Sequence, residues 1–99
     1  MTVEGLEITH TDKGSSGEYV AHVPDSDVAG RLTWKARGDD VRVADHTLVP
    51  PEIGGRGVAA ALVDALVADA REQGFRIVPQ CSYVEAKFRR NPDWAELRA

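Results

Sequence analysis

A chain of 99 residues is enough for one domain and too short for two independent cores. With 42% hydrophobic and 28% charged residues, its composition is that of an ordinary folded domain, which excludes a disordered chain. Lys and Arg number 12 against 16 Asp and Glu, a formal charge of −4 that argues against a nucleic-acid backbone as partner.

The first half of the chain reads as short strands set between turns. Leu6, Ile8 and His10 alternate with Glu7 and Thr9, the pattern of a half-buried strand, and Asp12 to Gly17 supply a flexible polar turn. Tyr19, Ala21 and Val23 alternate with Val20 and His22 until Pro24-Asp25 ends the second strand. In the third, Gly30, Leu32, Trp34 and Ala36 share one face while Arg31, Thr33, Lys35 and Arg37 share the other. Gly38-Asp39-Asp40 is a hairpin turn, and a fourth strand follows from Val41 to about Val49. Connections this short imply an antiparallel meander.

The period then changes. Between Val58 and Gln73 the residues Ala59, Leu62, Val63, Leu66, Val67 and Ala70 form one stripe of an α-helix, with Asp64, Asp69, Arg71 and Glu72 away from it. Gly74 sits where a left-handed residue ends such a helix. Phe75 to Val78 is a short strand before Pro79, and a helix between it and the fourth strand predicts a parallel pair. A second helix is expected from Tyr83 to Arg90, stopped by Pro92. The fold class is therefore α/β (α+β): a mixed sheet whose ligands enter at the carboxyl ends of its parallel strands. Lys87, Arg89 and Arg90 fall at the end of that second helix, where they complement its dipole. Trp34 and Trp94 read as packing residues.

Cys81 is the sole cysteine, the amino terminus lacks the order of a signal peptide, and no apolar run approaches the roughly 18–20 residues that span a bilayer. A cytoplasmic, reducing location without membrane contact is expected.

Chemistry concentrates at the turn from Val49 to Ala59. Pro50 and Pro51 stiffen its entry; Gly54, Gly55 and Gly57 uncover backbone amides just before a helix start; Arg56 adds a positive charge. Such a turn is either a phosphate cradle or only a tight connection. It lacks the Lys-Ser/Thr of a P-loop and the glycine placement of a dinucleotide loop.

This turn resembles the acyl-coenzyme A loop of the GNAT (GCN5-related) N-acetyltransferase superfamily, Arg/Gln-x-x-Gly-x-Gly/Ala. Gly57 and Ala59 match its last two fixed positions, and Gly54 stands where Arg or Gln is usual. Val78-Pro79-Gln80-Cys81-Ser82-Tyr83-Val84, then Phe88-Arg89-Arg90-Asn91-Pro92-Asp93-Trp94, resembles a branch of very short GNAT-like proteins, and His46-Thr47 suits that branch.

The resemblance implies one acetyl-coenzyme A-binding domain over residues 1–99. It implies that the backbone of Leu48 and Val49 pairs with the pantetheine arm. The amides of Gly54, Gly55, Arg56, Gly57, Val58 and Ala59 would take the pyrophosphate, with the thioester between the parallel strands beside Cys81. It implies acetyl transfer to an amine, with Tyr83 as acid and His46 as base, and with no metal. On residue chemistry alone His46 is equally a packed or solvent-facing side chain. Cys81 is a nucleophile, a cofactor contact or a small buried hydrophobe. Larger members carry helices between their first two strands that shape the acceptor site; Thr11 to Glu18 is too short for them. A non-catalytic acyl-coenzyme A-binding module is the alternative, and a domain whose loop binds nothing is a third. Monomer and homodimer are both open, and the acceptor is unspecified.

Overall fold

The computed structural model describes residues 5–99. In chain order these form β1 (Glu7–Asp12), β2 (Ser16–His22), β3 (Ala29–Arg37), β4 (Val41–Leu48), α1 (Val58–Gln73), β5 (Arg76–Pro79) and α2 (Ser82–Arg90). Short 3₁₀ turns occupy Pro51–Ile53 and Pro92–Leu97. The five strands make one sheet in sequence order, antiparallel from β1 to β4 and parallel between β4 and β5. The mixed sheet expected from alternation and from the helical crossover is the one observed.

Element ends shift by one to three residues. β1 runs on to Asp12 and β2 begins at Ser16, because the Asp12 carboxylate accepts the Gly14 amide at 2.8 Å and closes a shorter hairpin. β4 ends at Leu48, ahead of Val49, and β5 begins at Arg76, after Phe75. α2 starts one residue early, at Ser82. The Pro92–Leu97 turn has no counterpart in the sequence reading, since six residues without a helical or strand period carry no pattern signal.

Every helix packs on one face of the sheet. Tyr19, Ala21, Leu32, Trp34 and Ala44 from the strands join Val58, Leu62, Val63 and Leu66 of α1, Val84 and Phe88 of α2, and Trp94 and Leu97 in a single core. The apolar stripe of α1 supplies this contact as its period predicts. Gly30 permits it: a Cβ there would lie 2.8 Å from the Val58 side chain, so only glycine lets α1 approach β3 this closely. The opposite face carries Thr9, Glu18, Val20, Arg31, Thr33, Lys35 and His46, and no helix among the described residues covers it.

The sheet has one irregularity, in β4. Thr33 pairs with His46 but Trp34 pairs with Ala44, so Asp45 is an extra residue in that strand, a β-bulge. A bulge exchanges the faces of all residues beyond it. Ala44 points to the core, and beyond the bulge so does Thr47, opposite Leu32; His46 and Leu48 point to the uncovered face.

The end of the sheet remote from the glycine turn is closed by a polar network. Trp34 Nε1 donates to His10 Nε2 at 3.1 Å, and His10 lies flat on the Tyr19 ring with centroids 4.0 Å apart. Tyr19 donates to Asp69 at 2.6 Å, so Asp69, set apart from the buried stripe by its period, joins the helix to the sheet. The Arg42 guanidinium lies between the Trp34 and Phe75 rings, 4.0 and 4.1 Å from their centroids. Burial, and then the Asp69 carboxylate that accepts its proton, hold the Tyr19 hydroxyl far above its ordinary pKa. Burial keeps the His10 imidazole below its own, against the pull of Asp69.

Candidate active site

β4 and β5 separate in mid-course. Their ladder pairs Val41 with Arg76 and stops at Ala44 with Pro79, and the Cys81 amide adds a last bond to the Ala44 carbonyl at 2.9 Å. β4 continues to Leu48 with β3 on one side only. The result is a wedge-shaped gap beyond Ala44, on whose β4 edge the Thr47 amide bonds to the Cys81 thiol while the backbone around it is placed to pair with an extended ligand.

At the mouth of this gap stands the glycine turn. Pro50 and the 3₁₀ turn Pro51–Ile53 anchor it through Ile53, which is wholly buried. Gly55 and Gly57 have φ of 76° and 78°, a left-handed backbone that other residues adopt only under strain. Gly57 is the N-cap of α1, no side chain among the described residues caps that helix, and its first turn holds no acidic residue. The first bond back to the cap runs from the Ala61 amide to the Gly57 carbonyl at 3.0 Å, which leaves the amides of Val58, Ala59 and Ala60 without an intrahelical acceptor. Uncapped amides, the positive end of a 16-residue helix and an adjacent backbone edge suit an anionic ligand with an extended arm.

Around this turn the residues singled out by sequence take different parts. The Val58 side chain belongs to the core, so only its amide is available to a ligand. Arg56 is not a free cation: it donates to the Asp25 carboxylate at 3.0 and 3.3 Å. Gly54 has an ordinary φ of −68°, and a Cβ there would meet nothing closer than 3.5 Å. Leu48 is exposed at the end of β4.

Cys81 and Thr47 meet across the gap, Sγ to Oγ1, at 3.5 Å. Cys81 is also the N-cap of α2. Burial opposes its thiolate, but hydrogen bonding from the Thr47 hydroxyl and from the Val84 and Tyr83 amides outweighs that, and the thiol lies below its ordinary pKa. Tyr83, half-buried on the same side, has its hydroxyl pushed up by burial. His46 stands apart from this pair, exposed on the helix-free face. The Tyr83 amide reaches the Cys81 thiol, the Tyr83 hydroxyl has Asp64 and Arg90 as its charged neighbours, and His46 is separated from both residues by the thickness of the sheet.

Two residues escape sequence reasoning. Thr47 gains its place only through the bulge, and Asp45 is the bulge itself. No run of Gly or Pro marks either.

Among the described residues no group of three or more His, Cys, Asp or Glu is placed to hold a metal, and no helix is long and apolar enough to cross a membrane. The sequence model of the GCN5-related N-acetyltransferases matches residues 18–97. The chain superposes on the solution NMR structure of a GCN5-like protein from Staphylococcus aureus with a TM-score of 0.72, at 23% identity, over 97% of this chain and 90% of that one. That likeness is one of fold. No curated protein matches the chain.

Proposed function

This chain belongs to the GCN5-related N-acetyltransferase family, and on that premise we propose that it binds acetyl-coenzyme A in the gap between β4 and β5 and transfers the acetyl group to an amine. The single observation that carries this reading is the early end of the β4–β5 ladder at Ala44 and Pro79, directly beside an uncapped, glycine-entered helix. The pyrophosphate takes the amides from Gly55 to Ala59, since the Gly54 amide is already given to the Pro51 carbonyl at 3.1 Å. The pantetheine arm pairs with β4 near Leu48 and Val49 and brings the thioester to Cys81.

The nitrogen lone pair of a neutral amine then attacks the thioester carbon. A C–N bond forms, the carbonyl oxygen becomes an oxyanion held by a free β4 amide, and collapse breaks the C–S bond. The departing thiolate takes a proton from the Tyr83 phenol. Cys81 is a contact of the thioester sulfur on the helix side. His46, on the other side of the sheet, takes the proton that the amine loses. The whole chain acts as one domain, in a reducing cytoplasm and without a metal.

Calorimetric titration with acetyl-coenzyme A tests the reading, using Gly54→Glu as the variant. Position 54 accepts a side chain without backbone strain, so its added carboxylate acts by charge alone. Saturable binding to the wild type, weakened about tenfold or more in the variant with the melting temperature unchanged, is expected. A folded wild type that binds no acetyl-coenzyme A overturns it.

A further inference from the structure

Arg56 carries the only formal charge between Gly54 and Ala59, and a different loop holds it. Its partner Asp25 lies in the connection between β2 and β3. The strand order puts that connection on the β3 side of the glycine turn, whereas the ligand gap opens on the β5 side. One nitrogen of Arg56 makes the pair: Nη1 donates to both carboxylate oxygens, at 3.0 and 3.3 Å. Nε and Nη2 have no acceptor among the described residues, so most of the guanidinium fork stays open. The two side chains are 41% and 68% exposed, and an ion pair so exposed is held weakly. The β2–β3 connection also closes by its own bonds. The Ser26 amide donates to the Val23 carbonyl at 3.1 Å, and the Ser26 hydroxyl accepts the Val28 amide at 3.2 Å. The pair can open without undoing the loop.

We infer that Asp25 is a resident counter-ion of the glycine turn, and that a ligand's pyrophosphate takes Arg56 from it. The open amides and the positive end of α1 attract any small anion, and an unpaired arginine would add to that attraction. Pairing with Asp25 cancels the added charge, so an ion that reaches only the amides gains nothing from Arg56. A pyrophosphate brings two phosphoryl groups, one for the amides and one for the guanidinium, which bonds two phosphate oxygens side by side. To reach it, Arg56 turns from the β3 side to the β5 side and leaves Asp25. Binding is then an exchange of one anion for another, and Asp25 sets how much negative charge a ligand must bring. That the natural ligand is an acyl-coenzyme A rests on the function proposed above; the exchange at Arg56 does not.

The test is an NMR titration of the ¹⁵N-labelled protein with inorganic pyrophosphate and, separately, with coenzyme A. It follows the Arg56 Nε–H signal and the amides of Asp25, Ser26 and Asp27. Those loop signals should move on saturation although the gap lies across the turn from them, and should stay in place in Arg56→Gln. Arg56→Gln should also weaken both ligands about tenfold at low salt. Asp25→Asn should tighten both by about two- to fivefold, the strength of an exposed pair. Both positions are exposed, so neither variant endangers the fold. If the pair only pinned the loop to the turn, Asp25→Asn would loosen the turn and weaken the ligands. Weaker or unchanged binding by Asp25→Asn overturns the inference. So do loop shifts that persist in Arg56→Gln, or a wild type that binds neither ligand. The expected pattern with pyrophosphate but no binding of acetyl-coenzyme A would remove the proposed function and leave the exchange standing. Acetyl-coenzyme A binding that Asp25→Asn does not tighten would do the reverse.

Discussion

The two ends of the sheet are built on opposite plans. At the end holding His10, Tyr19, Trp34 and Asp69, donors meet acceptors across β1, β2, β3 and α1, and the Arg42 guanidinium fills the space between two rings, where its buried Nη1 has stacking in place of a hydrogen bond among the described residues. At the other, the ladder between β4 and β5 stops short and a helix starts without a side-chain cap among the described residues. Backbone groups without partners are tolerable in a small domain where water can reach them and the remainder is tightly packed. The closed end supplies stability, and the open end exposes the groups a ligand would use.

The largest test of this division breaks the closed end. Trp34→Ala empties the centre of the network and strips Arg42 of one ring, and should reduce stability by about 3–5 kcal/mol in urea unfolding. Where the variant remains folded, its affinity for acetyl-coenzyme A should match the wild type; a parallel loss would show that the two ends are not separable.

A smaller effect is expected on acidification. His10 accepts from Trp34 in its neutral form, and its folded pKa lies below the ordinary value of 6.5. The groups facing it are Asp12, Tyr19, Trp34, Arg42 and Asp69. Between its folded and unfolded pKa values the unfolded chain binds more protons, so stability is fully present above 6.5 and declines as pH falls through the folded value. In His10→Gln the decline of melting temperature from neutral pH to the acid side of that window should be shallower. An unchanged slope would show that His10 has no part in the acid sensitivity.

The smallest effect sharpens the open end. Thr47→Val should raise the pH at which Cys81 reacts with iodoacetamide, and Thr47→Ser should restore it, with stability little altered. Reaction at the same pH in all three would show that Thr47 does not act on the thiol.

Most of the fold is legible in the sequence because each strand alternates and α1 carries an unbroken stripe: period, turn residues and Gly74 all point the same way. The glycine turn is legible too, since positive φ at Gly55 and Gly57 demands that residue type. The faces of β4 are not. Strict alternation from Ala44 would turn His46 inward and Thr47 outward, and the bulge reverses both. An inserted residue within a strand is fixed by pairing with its neighbour, here the Thr33 hydroxyl on Asp45, which no local pattern announces. For the same reason a histidine and a cysteine that suit a common chemical role in sequence stand on opposite sides of the sheet.

The chain's last residues also alter how this sheet meets other molecules. Ile77 of β5 bridges to Arg98, and its carbonyl accepts the Ala99 amide at 2.8 Å, along the edge that β4 does not occupy. A sheet edge so occupied offers little to an incoming strand, whereas among the described residues β1 pairs only with β2 and carries Glu7 and Asp12 along its length. The two borders of the sheet therefore differ in their exposure to self-association. Crowding, or neutralisation of those carboxylates, would promote strand-to-strand joining of molecules through β1, at the border farthest from the gap.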